Sequence, residues 1–149
     1  MTDYVVGFLF SEDRRRVALI RKTRPEWQAG MLNGPGGKIE QGEVLEETMR
    51  REFLEEAGCD IENWQKIAIL ICPSNRVYFF RAFTGNLDGI KTGIQSCTDE
   101  RIDVFDVDVF LLWYRKKAVW PTCWMIQMCL DDDVRFPVII EYQIDGRRR

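Results

Sequence analysis

Blocks of apolar and polar residues follow one another along the chain and predict strands separated by two helices. Six apolar or alternating segments, rich in aromatic and β-branched residues, predict strands. They span residues 4–10, 17–20, 66–72, 77–83, 101–109 and 135–144. The last of these contains Pro137, which confines a strand to an edge or a bulge because proline cannot donate a hydrogen bond to the sheet.

Two segments carry helical patterns. Residues 43–57 lack proline and glycine and are rich in good helix formers, and Gly58 follows where a helix commonly ends in a left-handed turn. The run WPTCWMIQMCL has Pro121 near its start and is nearly all apolar, which predicts a helix packed against a sheet. This order of strands and helices predicts a mixed α/β (α+β) layered fold.

The loops between these elements carry glycine, proline and polar residues. Residues 23–37 and 84–100 are the two long ones, and the first holds Trp27 with little local core to bury it, which indicates a ligand-facing surface. The chain of 149 residues is expected to form one domain over 1–146, followed by a basic tail at 147–149.

Composition excludes several function classes. A net charge of -3 gives no general attraction to a nucleic acid polymer or an anionic membrane, and no apolar run is long enough for a membrane span. Five cysteines without a C-x-x-C pair favour reduced thiols and a cytoplasmic location. The chain has no histidine, which excludes Ser-His and Cys-His catalysis and every histidine-based zinc site.

Glutamates cluster at the end of the first predicted helix. At 100° per residue, Glu52, Glu55 and Glu56 fall within about 100° of arc and border its apolar stripe. Oxygen ligands of this kind suit Mg²⁺ or Mn²⁺. The glutamates alone also fit a merely solvated face. The preceding loop, GPGG at 34–37, favours a site because it brings bare backbone near the helix. It is not a Walker P-loop, since Lys38 is followed by isoleucine.

Residues 37–59, GKIEQGEVLEETMRREFLEEAGC, resemble the Nudix box G-x5-E-x7-R-E-U-x-E-E-x-G-U, in which U is apolar. The seven fixed positions all match, and their chance agreement is of order 10⁻⁸ per start position, at roughly one in fifteen for each residue. They are Gly37, Glu43, Arg51, Glu52, Glu55, Glu56 and Gly58. Cys59 stands where the family usually has an aliphatic residue. The resemblance implies the Nudix fold, a mixed sheet sandwiched between helices, over the whole domain.

The resemblance also implies roles for the residues of the box. Glu52, Glu55 and Glu56 would bind a divalent metal, Mg²⁺ or Mn²⁺, with the Gly37 carbonyl. Arg51 would pair with Glu43 and orient the ligands, and Glu52 would take the proton of the attacking water. A further glutamate, often found in a later loop of the family, corresponds to Glu100, as an extra ligand or base; it could equally be an ordinary loop acid.

The base pocket of the oxidised-purine nucleotide hydrolases of this family is similar at several positions. Trp27, Asn33, the Trp120-Pro121 pair and Lys38 of the glycine loop would then bind substrate. Thr122-Cys123 stands where those enzymes have two aspartates. Asp131-Asp132, near Phe136-Pro137, offers a rival alignment. The other interpretations are that Asn33-Gly34 is only a turn and that Trp120 is only core.

Three functions follow from the resemblance. The first is Mg²⁺-dependent hydrolysis of a modified or oxidised purine nucleoside triphosphate to monophosphate and pyrophosphate. The second is cleavage of ADP-ribose or a dinucleotide. The third is a silent nucleotide-binding module, which the intact set of box glutamates disfavours. The expected partner is a small nucleotide, and a homodimer is left open beside the monomer.

Overall fold

The computed structural model describes residues 1–90, 93–94 and 99–143, so the basic tail at 147–149 lies outside the described residues. Within them one mixed sheet has the order β7-β8-β2-β1-β6-β5-β9, with β3 paired to β2 and β4 paired to β1. The strands are β1 (Thr2–Ser11), β2 (Arg16–Arg21), β3 (Leu32–Asn33), β4 (Gly36–Lys38), β5 (Gln65–Ile71), β6 (Asn75–Thr84), β7 (Gly93–Ile94), β8 (Arg101–Asp106) and β9 (Val138–Glu141). The helices are α1 (Leu45–Ala57), α2 (Val107–Trp113) and α3 (Thr122–Cys129).

Strand β1 lies at the centre of the sheet and contributes side chains to two hydrophobic cores, one on each face. Because successive side chains of a strand point to opposite faces, Phe8 packs into one core while Val5 packs into the other. The Phe8 side also takes Phe110 of α2 and Met125 of α3. The Val5 side takes the buried residues of α1, which include Met49, Phe53 and Ala57. The sheet therefore lies between helices, and the predicted fold class is confirmed.

The helix α1 begins two residues later than predicted and ends as expected. Its last residue is Ala57, and Gly58 takes the left-handed conformation with φ 65°. Strand β9 occupies an edge of the sheet, as Pro137 required, but it is shorter than predicted.

Helix α2 contradicts the predicted strand at 101–109. The strand ends at Asp106, because the Asp106 carboxylate accepts a hydrogen bond from the Val109 backbone N–H at 2.9 Å and caps a helix there. In α3, Trp124 is exposed although the helix is nearly all apolar. Within the described part of the chain, no helix is long and apolar enough to cross a membrane.

Candidate active site

The glutamates at the end of α1 lie against the bare backbone of β4. This strand pairs with β1, with Gly37 opposite Val5 and Gly36 opposite Val6. The Gly36 N–H donates to Glu56 Oε2 at 3.1 Å. A Cβ atom on Gly37 would collide with the carboxylate of Glu52. Two carboxylates of α1 thus lie directly against this strand, Glu56 through a hydrogen bond to Gly36 and Glu52 through close contact with Gly37.

Arg51 holds the loop before the helix against it. Its Nε and Nη2 donate to Glu43 Oε2 and Oε1, both at 2.9 Å, in a two-pronged contact that only a guanidinium can make. This contact, together with hydrogen bonding from the Glu40 backbone, keeps the pKa of Glu43 below its ordinary value. Arg51 Nη1 also donates to Glu52 Oε1 at 3.0 Å and to Glu55 Oε1 at 3.3 Å. The guanidinium therefore already lies among three carboxylates.

Burial disfavours the ionised form of two glutamates of α1, Glu56 and Glu52. Burial raises the pKa of Glu56 to about 8, and the nearby charges of Glu52 and Glu100 add to the rise. Burial also raises the pKa of Glu52, with the Arg51 charge opposing it. A cation next to these two groups would restore their ionisation, as it does in metal sites.

Glu100 joins this group from the start of β8. Its side chain is 6% exposed, and it accepts hydrogen bonds from Lys22 Nζ at 3.0 Å and from the Thr23 N–H at 2.6 Å. Lys22 lowers the pKa of Glu56, so its ammonium acts on both acids. Sequence reasoning did not single out Lys22; its place just after β2, which pairs with β8, is the signal that could have shown it.

These donors fit a hard divalent cation. They are carboxylate oxygens and a peptide carbonyl, which Mg²⁺ and Mn²⁺ prefer, and two of the carboxylates are buried with raised pKa values. Among residues 1–90 and 99–143 no three acid or cysteine side chains lie close enough to share one ion. Arg51 contacts both Glu52 and Glu55, so a guanidinium lies beside two of the predicted ligands.

A cleft of about 810 Å³ brings most of the predicted binding residues together. Seven of the residues singled out from the sequence line it: Trp27, Asn33, Gly37, Lys38, Glu56, Glu100 and Trp120. Arg51, Glu52 and Glu55 do not line it. Lys22 and Tyr142 also line it, although neither was predicted.

Aromatic rings form one part of the cleft. Trp120 is 48% exposed and its ring meets that of Tyr142 at 5.4 Å between centroids. Trp27 is 69% exposed. The interpretation of Trp120 as core is therefore wrong. Tyr142 follows β9 and is fixed by its N–H, which donates to the Ile71 carbonyl at 2.8 Å.

Asn33 lies between this aromatic part and the glycine loop. Its Oδ1 accepts the Gly34 N–H at 2.8 Å and the Thr122 hydroxyl at 3.1 Å. Asn33 is thus the last residue of β3 and lines the cleft, so the interpretation of Asn33-Gly34 as only a turn is wrong. The rival alignment through Asp131-Asp132 finds no support, because neither acid lines the cleft and Asp132 pairs with Arg14 at 2.8 Å.

A family comparison settles what these features belong to. Residues 1–122 match the model of the NUDIX domain. The chain belongs to the NUDIX family. The box helix, the glycine strand and strands β1 to β8 of the sheet lie within the matched residues, and only β9 of the described strands lies beyond them.

Relatives of this NUDIX chain include two vertebrate proteins named oxidized purine nucleoside triphosphate hydrolase. The Danio rerio protein is 46% identical over 52 residues, which is 35% of this chain and 33% of the relative. The Mus musculus protein is 42% identical over 53 residues, 36% of this chain and 33% of the relative. The chain thus spans about a third of the length of the curated relatives it matches.

Solved structures share the NUDIX fold at low sequence identity. A MutT protein from Bacillus halodurans aligns with a TM-score of 0.68 and 19% identity, over 99% of this chain and 94% of that one. An ADP-ribose pyrophosphatase from Streptococcus suis aligns with a TM-score of 0.63 and 18% identity, over 93% of this chain and 98% of that one. Identities this low show the fold alone.

Proposed function

We propose that the chain hydrolyses a purine nucleoside triphosphate, modified or oxidised, to the monophosphate and pyrophosphate with a bound divalent cation. The observation that carries this is one cleft that joins exposed aromatic rings to Glu56 of the NUDIX helix and to Glu100. Asn33 is hydrogen-bonded to Thr122 of α3 beside the rings, and Gly36 is hydrogen-bonded to Glu56. The two residues are three positions apart, so their Cα atoms are at most roughly 11 Å apart. That span suits a nucleotide, with its base at the rings and its phosphates at the acids.

The residues would divide the work as follows. Glu52, Glu55 and Glu56 with the Gly37 carbonyl would hold Mg²⁺ or Mn²⁺, and Glu100 is a further candidate ligand or base. When bound, the ion would neutralise phosphate charge and lower the pKa of a water molecule. Arg51, held by Glu43, orients Glu52 and Glu55.

Glu52 is the proposed base for the attacking water. Its Oε1 is 3.0 Å from Arg51 Nη1, and this positive charge favours the ionised carboxylate that a base requires. The cations Lys22 and Lys38 line the cleft and would contact the phosphate oxygens. Trp27 and Trp120 would stack on the base.

The names of the vertebrate relatives support a triphosphate of an oxidised purine, over the third of their length that is matched. The Streptococcus suis neighbour keeps ADP-ribose as the second candidate substrate. The described cysteines Cys59, Cys72, Cys123 and Cys129 are free thiols, which supports a reducing compartment such as the cytoplasm. We expect a small nucleotide as the partner, and light scattering would decide between a monomer and a homodimer.

A nucleotide panel tests the proposal. Purified protein is incubated with unmodified and oxidised purine and pyrimidine triphosphates, ADP-ribose and a dinucleotide, each with Mg²⁺, with Mn²⁺ and with EDTA. We expect a purine triphosphate to give monophosphate and pyrophosphate, and EDTA and Glu56→Gln to abolish turnover. Turnover of ADP-ribose without any triphosphate, or turnover that survives EDTA, would contradict the proposal.

A further inference from the structure

Thr122 grips the side chain of Asn33 from the first turn of α3. It is almost fully buried, and its N–H donates to the Val119 carbonyl at 2.8 Å, so its hydroxyl has a fixed position. That hydroxyl donates to Asn33 Oδ1 at 3.1 Å. The Gly34 N–H donates to the same oxygen at 2.8 Å. Both lone pairs of the amide oxygen are therefore used within the protein.

These contacts fix which way the Asn33 amide faces. A backbone N–H can only donate, so the atom beside Gly34 N must be the amide oxygen. The flipped amide would set its NH₂ group against the Gly34 N–H and would leave that backbone donor without an acceptor. Asn33 lines the cleft, and its NH₂ group is consequently the part it can offer to a ligand.

The residues after Trp120-Pro121 add no acceptor to the cleft. Thr122 and Cys123 are both buried, and neither lines it. The Cys123 thiol faces the Arg115 carbonyl at 3.9 Å. Whatever base lies beside Trp120 thus meets two N–H donors from Asn33 and no carboxylate from these two positions.

The two purine types differ at the edge that an asparagine reads. Adenine shows an acceptor at N7 and a donor at N6, and an asparagine recognises this pair only when its oxygen can accept. Guanine and hypoxanthine show acceptors at both N7 and O6. An asparagine whose oxygen is already saturated can donate to the O6 acceptor of a 6-oxopurine but leaves the adenine amino group facing another donor.

We propose that Thr122 is a specificity-determining residue, which holds Asn33 as a donor and so makes the cleft select 6-oxopurines over 6-aminopurines. The inference rests on the proposed function, since it takes the ligand to be a purine nucleotide. A base whose polar edge is left unpaired in a desolvated site binds at least tenfold more weakly. The discrimination lies in the hydrogen bond between the buried Thr122 hydroxyl and Asn33 Oδ1.

Binding of inosine and adenosine monophosphates tests the proposal without any turnover. The two bases differ at the 6-position, and isothermal titration with Mg²⁺ gives both affinities. For the wild-type protein we expect inosine monophosphate to bind at least tenfold more tightly. Thr122→Val removes the hydroxyl and keeps the shape, which frees one lone pair of Asn33 Oδ1, and the preference should fall to threefold or less.

Two further variants separate the hydrogen bond from packing. Thr122→Ser keeps the hydroxyl, and it should keep the preference. Thr84→Val makes the same chemical change at the end of β6, outside the cleft lining, and it should leave both affinities unchanged. A wild-type protein that binds both monophosphates equally would overturn the inference, as would a Thr122→Val variant, folded by circular dichroism, with the preference intact.

The outcome is separable from that of the nucleotide panel. Selective binding of inosine monophosphate by a protein that hydrolyses no nucleotide would sink the proposed function and leave the inference standing. Triphosphate hydrolysis with no purine preference in binding would do the reverse. A protein that binds neither monophosphate at millimolar concentration would overturn both.

Discussion

Lys22 and Glu100 meet in the cleft as a nearly desolvated ion pair, with 3.0 Å between Nζ and Oε1 and side-chain exposures of 18% and 6%. A second pair lies nearby, between Arg24, two residues after Lys22, and Asp99, one residue before Glu100, at 2.7 Å. That neighbour is exposed, at 72% and 62%. Because both ion pairs lie in the same part of the fold, a comparison of variants of the two pairs isolates the effect of burial.

Removal of the Lys22 charge is expected to destabilise the fold strongly. Lys22→Met leaves the buried Glu100 carboxylate without its cation, which costs about 3–5 kcal/mol for buried pairs. Arg24→Met breaks the exposed pair and should cost less than about 1 kcal/mol. Urea unfolding of both variants measures the difference, and equal losses would contradict this account of Glu100 as a buried charge.

The stability of the metal-free protein should fall as pH rises from about 5 to 8. The folded pKa of Glu56 is about 8, against about 4.3 in the unfolded chain, so between these values the folded state keeps a proton that the unfolded state has released. Glu52 shifts in the same direction. The slope is at most about 1.4 kcal/mol per pH unit for each such group.

Urea unfolding in EDTA across this pH range checks the sign. Glu56→Gln keeps the acceptor for the Gly36 N–H and removes the titration, so its stability should vary much less with pH. Glu46→Gln, an exposed glutamate in the first turn of the same helix, is the control and should keep the wild-type slope. A wild-type stability that rises over this range would refute the assignment.

Arg51 is expected to act on catalysis through geometry. A lysine at this position keeps the charge but loses the two-pronged contact with Glu43, so Arg51→Lys should lower metal affinity or kcat about 10- to 100-fold. Arg50→Lys is the matched control, because Arg50 makes a similar two-pronged contact with Asp60 on the exposed side. Manganese titration and steady-state rates compare the two, and equal effects would mean that the contact serves folding only.

The exposed tryptophans of the cleft should contribute to nucleotide binding. Stacking of a base on an aromatic ring is worth about 1–3 kcal/mol by alanine substitution, so Trp27→Ala and Trp120→Ala should each raise KM roughly tenfold or more. Trp113 on α2 is equally exposed but does not line the cleft, and Trp113→Ala should leave KM unchanged. Unchanged KM in both cleft variants would show that these rings do not stack on the substrate.

The NUDIX box was readable from sequence because its spacing is local. Helical geometry places Glu52 and Glu56 on one side of α1, and Gly58 ends the helix where a left-handed residue was expected. The strands around β1 were likewise predicted by their apolar runs. Each of these features is determined within a single helix or strand and does not depend on contacts with distant residues.

Features that depend on contacts between distant parts of the chain could not be predicted from the sequence. The end of β8 was missed for a local reason instead: apolar residues continue to alternate past Asp106, and this alternation does not show that the Asp106 side chain caps a helix. Lys22 and Tyr142 reach the cleft only through sheet pairing with β8 and β5. The glycine loop was expected to be irregular, yet Gly36 lies in β4. Glycine is required at this position of the strand because a side chain there would collide with the Val5 carbonyl.

The parallel pairing of β1 with β6 runs through all ten residues, from Thr2 beside Asn75 to Ser11 beside Thr84. Every element of the NUDIX box lies inside the long chain segment that this pairing closes. A growing polypeptide can therefore complete its central sheet only after residue 84 has left the ribosome, and until then β1 lacks this neighbour. The helix that carries the proposed metal ligands therefore packs against a complete central sheet only after synthesis of a strand that carries none of them.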